Sequence, residues 1–353
     1  MFDMPSFINS DYEFFDQFGD GNYNNIYLGK RMFGPAKKQK FLSTITGGME
    51  RRFEFLDSQV NHQSFTHLWS DRNPTKCRNP QVSCIDDSRV QLRSDDDGET
   101  SFIHANWVRG GPLFNEFILT QAPMDTTVED FWRMVWQEKV PYIFMLISRK
   151  QPERCVRYWP KEQDGLLRLT EMNVRHCGVD EERDPLFRVT HIEVVHDNGQ
   201  TLRLEHWQAD MNNTNNLEAP LRLLHLARNS SKPVIVHDCL GISRAGCLVT
   251  IEAAIASLIR GPTYKHTIQK AVQFVRSQRA FCIETPMQYI YVHRCVAHFF
   301  EGIIGKIPLF DSDYRQWLER RAGRMFLDFN EPLPGHLMLS PRVDPDLLKQ
   351  VRF

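Results

Sequence analysis

The chain of 353 residues sets 43 Lys and Arg against 44 Asp and Glu, a net charge of -1, so it offers no general attraction to nucleic acid or to an anionic membrane surface. With 41% hydrophobic and 25% charged residues it has the composition of a globular protein, and no apolar run reaches the length of a membrane span. Its 8 cysteines form no Cys-x-x-Cys pair and no basic segment precedes an apolar core at its start, so the expectation is a reduced cytoplasmic protein without metal or cofactor.

Residues 1–45 are rich in aromatics, Asp, Asn and Gly, show no clean period and read as an N-terminal extension. Met49 to Gln59 reads as a helix, with Phe53, Leu56 and Val60 on one face. Asn61 to Asn73 is polar and loop-like, and Asp95-Asp96-Asp97-Gly98 is a turn. Ile143 to Ile147 is a short buried strand. Phe187 to His196 alternates as a strand, Asn198-Gly199 is a hairpin turn, and Gln200 to Trp207 returns beside it. Leu217 to Asn229 is a helix that packs Leu223, Leu224 and Leu226, and Thr267 to Arg276 is another. Near the end, Tyr314 to Met325 makes a basic amphipathic helix with Arg315, Arg320, Arg321 and Arg324, either packed on the domain or docking another protein.

The stretch Val234-Ile235-Val236-His237-Asp238-Cys239-Leu240-Gly241-Ile242-Ser243-Arg244-Ala245-Gly246 organises the rest. Three β-branched residues enter a glycine-bearing turn, and Leu248, Ile251, Ile255, Leu258 and Ile259 follow at helical spacing. A strand, tight loop and helix in this order aim successive backbone N–H groups and the positive helix end at one point, an anion site. Arg244 adds a planar fork suited to phosphate.

This stretch resembles the signature of the protein tyrosine phosphatases, Val-His-Cys, five residues, then Arg. Further matches support the resemblance over residues 45–305. They are Phe102-Ile103-His104-Ala105-Asn106, Phe117-Ile118-Leu119-Thr120-Gln121-Ala122-Pro123, the helix Val128 to Trp136 with Trp132 and Trp136 as core residues, and Cys155-Val156-Arg157-Tyr158-Trp159-Pro160. Arg276 and Arg279 resemble the family's Arg-x-x-Arg. Thr285 and Pro286 resemble the N-cap and first position of the last family helix, Met287 to Ile304, closed by Gly305. The implied fold is α/β (α+β), a single domain over 46–305 with a central twisted mixed sheet flanked by helices and a C-terminal extension over 306–353.

At the chemical stations the chain departs from the family. Asp238 stands in the nucleophile slot, five residues before Arg244, and Cys239 is one position late. Asn212 falls in the general-acid slot, and Asp210 two residues before it. Glu284 replaces the Gln that orients water, Ala245 replaces the loop hydroxyl, and Gln288 is kept. In the pocket wall, Asn79 stands for the stacking Tyr and Gln81 for the Asp that holds the substrate backbone. An amide has no proton to give a leaving phenolate, and a carboxylate is a poor nucleophile toward a dianion. The resemblance therefore implies a phosphate cradle at Asp238, Cys239, Leu240, Gly241, Ile242, Ser243 and Arg244 that binds without cutting. It reaches to the inactive tyrosine-phosphatase-like regulators of the oocyte-to-embryo transition, which implies a tyrosine-phosphorylated protein or a kinase as partner and a cytoplasmic or cortical place. An active enzyme using Cys239 or Asp238, and a scaffold that ignores phosphate, are the alternatives. Asp238 either shares the cradle with a phosphate or pairs with Arg244 and fills it.

Overall fold

The computed structural model describes residues 65–93, 101–211, 216–260 and 266–304. The terminal extensions, the helices expected at 49–59 and 314–325, the turn at 95–98, Asn212 and Gly305 lie outside the described residues.

Short β-branched and aromatic runs form nine strands: β1 (Arg89–Gln91), β2 (Phe102–Val108), β3 (Phe117–Gln121), β4 (Tyr142–Met145), β5 (Leu166–Arg168), β6 (Met172–Asp180), β7 (Phe187–His196), β8 (Thr201–Ala209) and β9 (Val234–Asp238). They make one mixed sheet in the order β1-β2-β3-β9-β4-β8-β7-β6-β5. The four central strands, β3, β9, β4 and β8, pair in parallel, and the outer ones are antiparallel. Parallel strands are buried on both faces, which is why β9 is buried along its whole length and opens on three apolar residues in a row, Val234, Ile235 and Val236. The β7–β8 hairpin turns at Asn198-Gly199, where Gly199 takes φ +83 and the Gln200 N–H donates to the Asn198 side chain at 2.9 Å.

The described helices are α1 (Leu68–Arg72), α2 (Val128–Glu138), α3 (Glu218–Arg228), α4 (Arg244–Arg260), α5 (Thr267–Arg276) and α6 (Pro286–Ile304). α3 to α6 pack on one face of the sheet, over Val234, Val236, Phe117 and Phe144. α2 packs on the other, with Phe131 and Trp132 against Ile118, Ile143 and Ile235. α4 is apolar on nearly every side because the sheet, α5 and α6 surround it.

Two expectations need correction. The segment 65–73 is not all loop: α1 forms because the Asp86 carboxylate, 18 residues away, accepts the Leu68 and Trp69 N–H groups at 2.8 and 3.2 Å. No local pattern announces a cap supplied from that distance. Trp132 is fully buried, but Trp136 is only half-buried, stacked on His196 at 5.0 Å with Lys139 over its ring.

Candidate anion-binding site

β9 lies between β3 and β4, with Gln121 opposite Asp238 and Met145 opposite His237. Its carboxyl end therefore opens into the crevice above the parallel strands, where α/β sheets place their ligands. His237 is anchored below: the Tyr158 hydroxyl lies 2.8 Å from the Nε2 atoms of both His237 and His206. Burial holds both imidazoles neutral, pushed down to about 3.

From Asp238 the chain turns through 239–243 into α4. Gly241 makes the turn at φ +73, and a Cβ there would come within 2.3 Å of the Thr120 carbonyl oxygen. Arg279 braces the loop from outside. Its fully buried guanidinium donates to the carbonyls of Leu240 at 2.8 Å and Gly241 at 3.2 Å, and to Asn106 Oδ1 at 2.7 Å. The same group donates to His104 Nδ1, while His104 Nε2 meets the Val82 carbonyl at 2.8 Å. With its carbonyls drawn outward, the loop turns N–H groups inward.

Those N–H groups meet the protein's own anion. Asp238 is 1% exposed; its Oδ1 accepts from Leu240 at 3.0 Å and from Gly241, and its Oδ2 accepts from Ala245 at 2.9 Å. Of the two arrangements left open by the sequence, the carboxylate sits in the cradle, but it is held by backbone amides rather than by Arg244. Arg244, 2% exposed, donates to the Leu146 carbonyl at 3.1 Å.

A second acid stands beside the first. Glu284 accepts a hydrogen bond from the Ser243 hydroxyl, and its N–H donates to Gln288 Oε1 at 2.8 Å. Burial, with the nearby Asp238 charge assisting, raises the Glu284 carboxyl to about 7. Its loop is strained, with Phe281 and Ile283 at φ +64 and +63. Arg276 holds that loop through the Cys282 and Ile283 carbonyls, both at 2.7 Å, and Thr285 caps α6 through the Gln288 N–H at 3.2 Å. Gln288, 3% exposed, thus braces the loop rather than lining open space.

Cys239 is half-buried, and its carbonyl accepts from Ala122 at 3.1 Å. Burial raises its thiol, with Arg78 pulling the other way, so it is not the ready thiolate that nucleophilic attack requires. Arg78 donates to the Ala122 and Pro123 carbonyls at 3.2 and 2.8 Å, which sets its loop against the cradle. On that loop Asn79 accepts from the Gln81 N–H at 2.9 Å and closes a local turn; Gln81 is exposed. Asp210, exposed at the end of β8, accepts from Ser148 at 2.9 Å.

A family profile described as protein-tyrosine phosphatase matches residues 73–298. The chain belongs to the protein-tyrosine phosphatase family. It is 57% identical over 335 residues to two Caenorhabditis elegans proteins, the inactive protein-tyrosine phosphatases egg-4 and egg-5, covering 93% of this chain and 44% of each of theirs. It is 35% identical over 283 residues to the protein tyrosine phosphatase-like protein egg-3 of the same organism, covering 66% of this chain and 51% of that one. The chain thus spans about half the length of these curated relatives. Egg-4 and egg-5 are named inactive, and in this chain the Asp238 carboxylate lies tied to the backbone amides of its loop. Sequence reasoning missed the Ser243–Glu284 bond and the Arg279 brace, whose signals are scattered residues that only the fold gathers.

Proposed function

We propose that this domain holds a tyrosine-phosphorylated protein, a kinase among the candidates, without hydrolysing it, and so shields or inhibits what it holds. The cradle carries the reading: Arg244 is kept beside the loop, Asp238 takes the nucleophile's place, and a phosphate enters by displacing that carboxylate from the Leu240, Gly241 and Ala245 N–H groups it now occupies. An ionised carboxylate there bears the same single charge as a thiolate, so this exchange adds no repulsion toward a phosphate. At about 4 Å and an effective dielectric near 20, one charge acts on a dianion by roughly 8 kcal/mol, so Arg244 and Asp238 nearly cancel and the loop amides decide. With its carboxyl raised to about 7, Glu284 is partly protonated near neutrality, which lessens the second negative charge at the site. The relatives named inactive support retention without turnover. In this reading the domain spans 46–305 with extensions at 1–45 and 306–353, and works in the cytoplasm. No helix among the described residues is long and apolar enough to cross a membrane.

The test is calorimetric titration with a tyrosine peptide in phosphorylated and unphosphorylated form. The wild type is expected to prefer the phosphorylated peptide by roughly tenfold or more, the worth of a charge-assisted hydrogen bond or two. Arg244→Met is expected to lose that preference. Equal affinity for both peptides would remove the cradle from the account and leave a scaffold that binds through other surfaces.

A further inference from the structure

The cradle gathers negative charge. Asp238 holds one carboxylate on the Leu240, Gly241 and Ala245 N–H groups, and Glu284 brings a second to the Ser243 hydroxyl. Neutral donors hold both acids, while Arg244 donates to the Leu146 carbonyl. The Glu284 loop is fixed against the cradle. The Ile283 N–H donates to the Ile242 carbonyl at 3.0 Å, and Arg276 grips the Cys282 and Ile283 carbonyls. Cys282 packs so closely on α4 that a Cβ on Gly246 would come within 3.0 Å of its side chain. A phosphate that takes the amides from Asp238 therefore stands beside two carboxylates that the packing keeps near.

The titratable groups around these two acids hold their charge near neutrality. Burial keeps the Cys247 and Cys282 thiols protonated, Cys282 at about 12, and keeps His237 neutral at about 3. Burial also raises the Cys239 thiol, against the pull of Arg78. Arg279 stays a cation on the Leu240 and Gly241 carbonyls, and Arg276 on those of its own loop. Glu284 differs. Burial and then the Asp238 charge raise its carboxyl to about 7, against the Ser243 and Gln288 side chains. A dianion brought beside such a carboxyl disfavours its ionised form further.

We propose that a phosphate enters this cradle together with one proton drawn from solvent, which Glu284 holds beside the displaced Asp238. The inference rests on the cradle reading above and adds a regulator of that site, pH. The proton leaves hydronium or buffer and turns the Glu284 carboxylate into a carboxylic acid, which donates a hydrogen bond where the carboxylate only accepted. Above about 7 the free domain lacks this proton and must take it up, so affinity falls as pH rises. Below about 7 the proton is already in place and this contribution levels off.

The experiment is calorimetric titration of the full chain with one tyrosine peptide, phosphorylated or not, at pH 7.5 and 8.5. Each titration is run in two buffers of different ionisation enthalpy, so that the heats count protons. The second ionisation of phosphotyrosine lies at about 6, so the free peptide is a dianion at both values. The expected result is uptake of about half a proton or more per phosphopeptide, with affinity about five- to tenfold weaker at pH 8.5 than at pH 7.5. Glu284→Gln is expected to take up no proton, to bind equally at both values, and to exceed the wild type at pH 8.5. Zero uptake by the wild type overturns the proposal whatever the variant does, and uptake that persists in Glu284→Gln places the proton elsewhere and overturns it too. Equal affinity for the phosphorylated and unphosphorylated peptides at both values overturns the cradle reading instead, so the two failures are distinct.

Discussion

At Glu284 the fold holds a carboxyl group where ionisation is disfavoured, raised to about 7 by burial and by Asp238. The sign of its effect on stability follows. Below the ordinary carboxylate value both folded and unfolded chains carry the proton and Glu284 contributes nothing. As pH rises through that value toward about 7 the unfolded chain ionises first, and stability is lost across the window. Above about 7 the loss is constant. Glu284→Gln keeps the shape without the charge, and Gln is the residue the family resemblance places there. Urea midpoints should therefore separate the variant from wild type little at pH 5 and by on the order of 1–2 kcal/mol at pH 8, allowing for partial exposure. A gap that is widest at pH 5 would contradict the burial of this carboxyl. The identity of Glu284 was readable in the sequence, but its link to Ser243, 41 residues away, was not.

Among the elements, α3 and α4 are joined by a buried ion pair. The Arg228 Nε lies 3.0 and 3.1 Å from the two Glu252 oxygens and one terminal nitrogen lies 2.6 Å from Oε2, with Glu252 wholly buried. Removing one partner strands the other charge in the core. Glu252→Ala is expected to cost about 3–5 kcal/mol in chemical denaturation, whereas replacing both residues with apolar ones of similar volume should cost far less. The helices were legible in sequence almost to the residue: the expected Thr267 to Arg276 is α5, and Phe187 to His196 is β7. Their periodicity is a local property, written by which face is buried. α1 was not legible, because Asp86 that caps it comes from a different part of the chain.

The whole molecule decides whether chemistry returns. Asp238 ends β9, Ala245 lies in α4, Glu284 precedes α6, and Asn212 follows β8 beyond the described residues. Stations drawn from four segments act as a unit, so restoring one does not restore the reaction. The wild type is expected to show no turnover of an aryl phosphate above background. Asp238→Cys is expected to remain within about tenfold of that background in a continuous phosphatase assay. Robust turnover by the single variant would mean that the acid and water-orienting positions are filled by residues not considered above. Turnover by wild type lost on Cys239→Ser would restore Cys239 as a nucleophile despite its raised, half-buried thiol.

What the sequence by itself determined is the family and the strand and helix pattern, because residue identity and short-range periodicity are carried locally. That Asp238 binds the loop's own amides rather than Arg244 was decided only in three dimensions. So was the second acid beside it. The physical reason is one of range: a hydrogen bond or a field joins groups that the folded sheet and its loops bring within a few ångströms, whatever distance along the chain separates them.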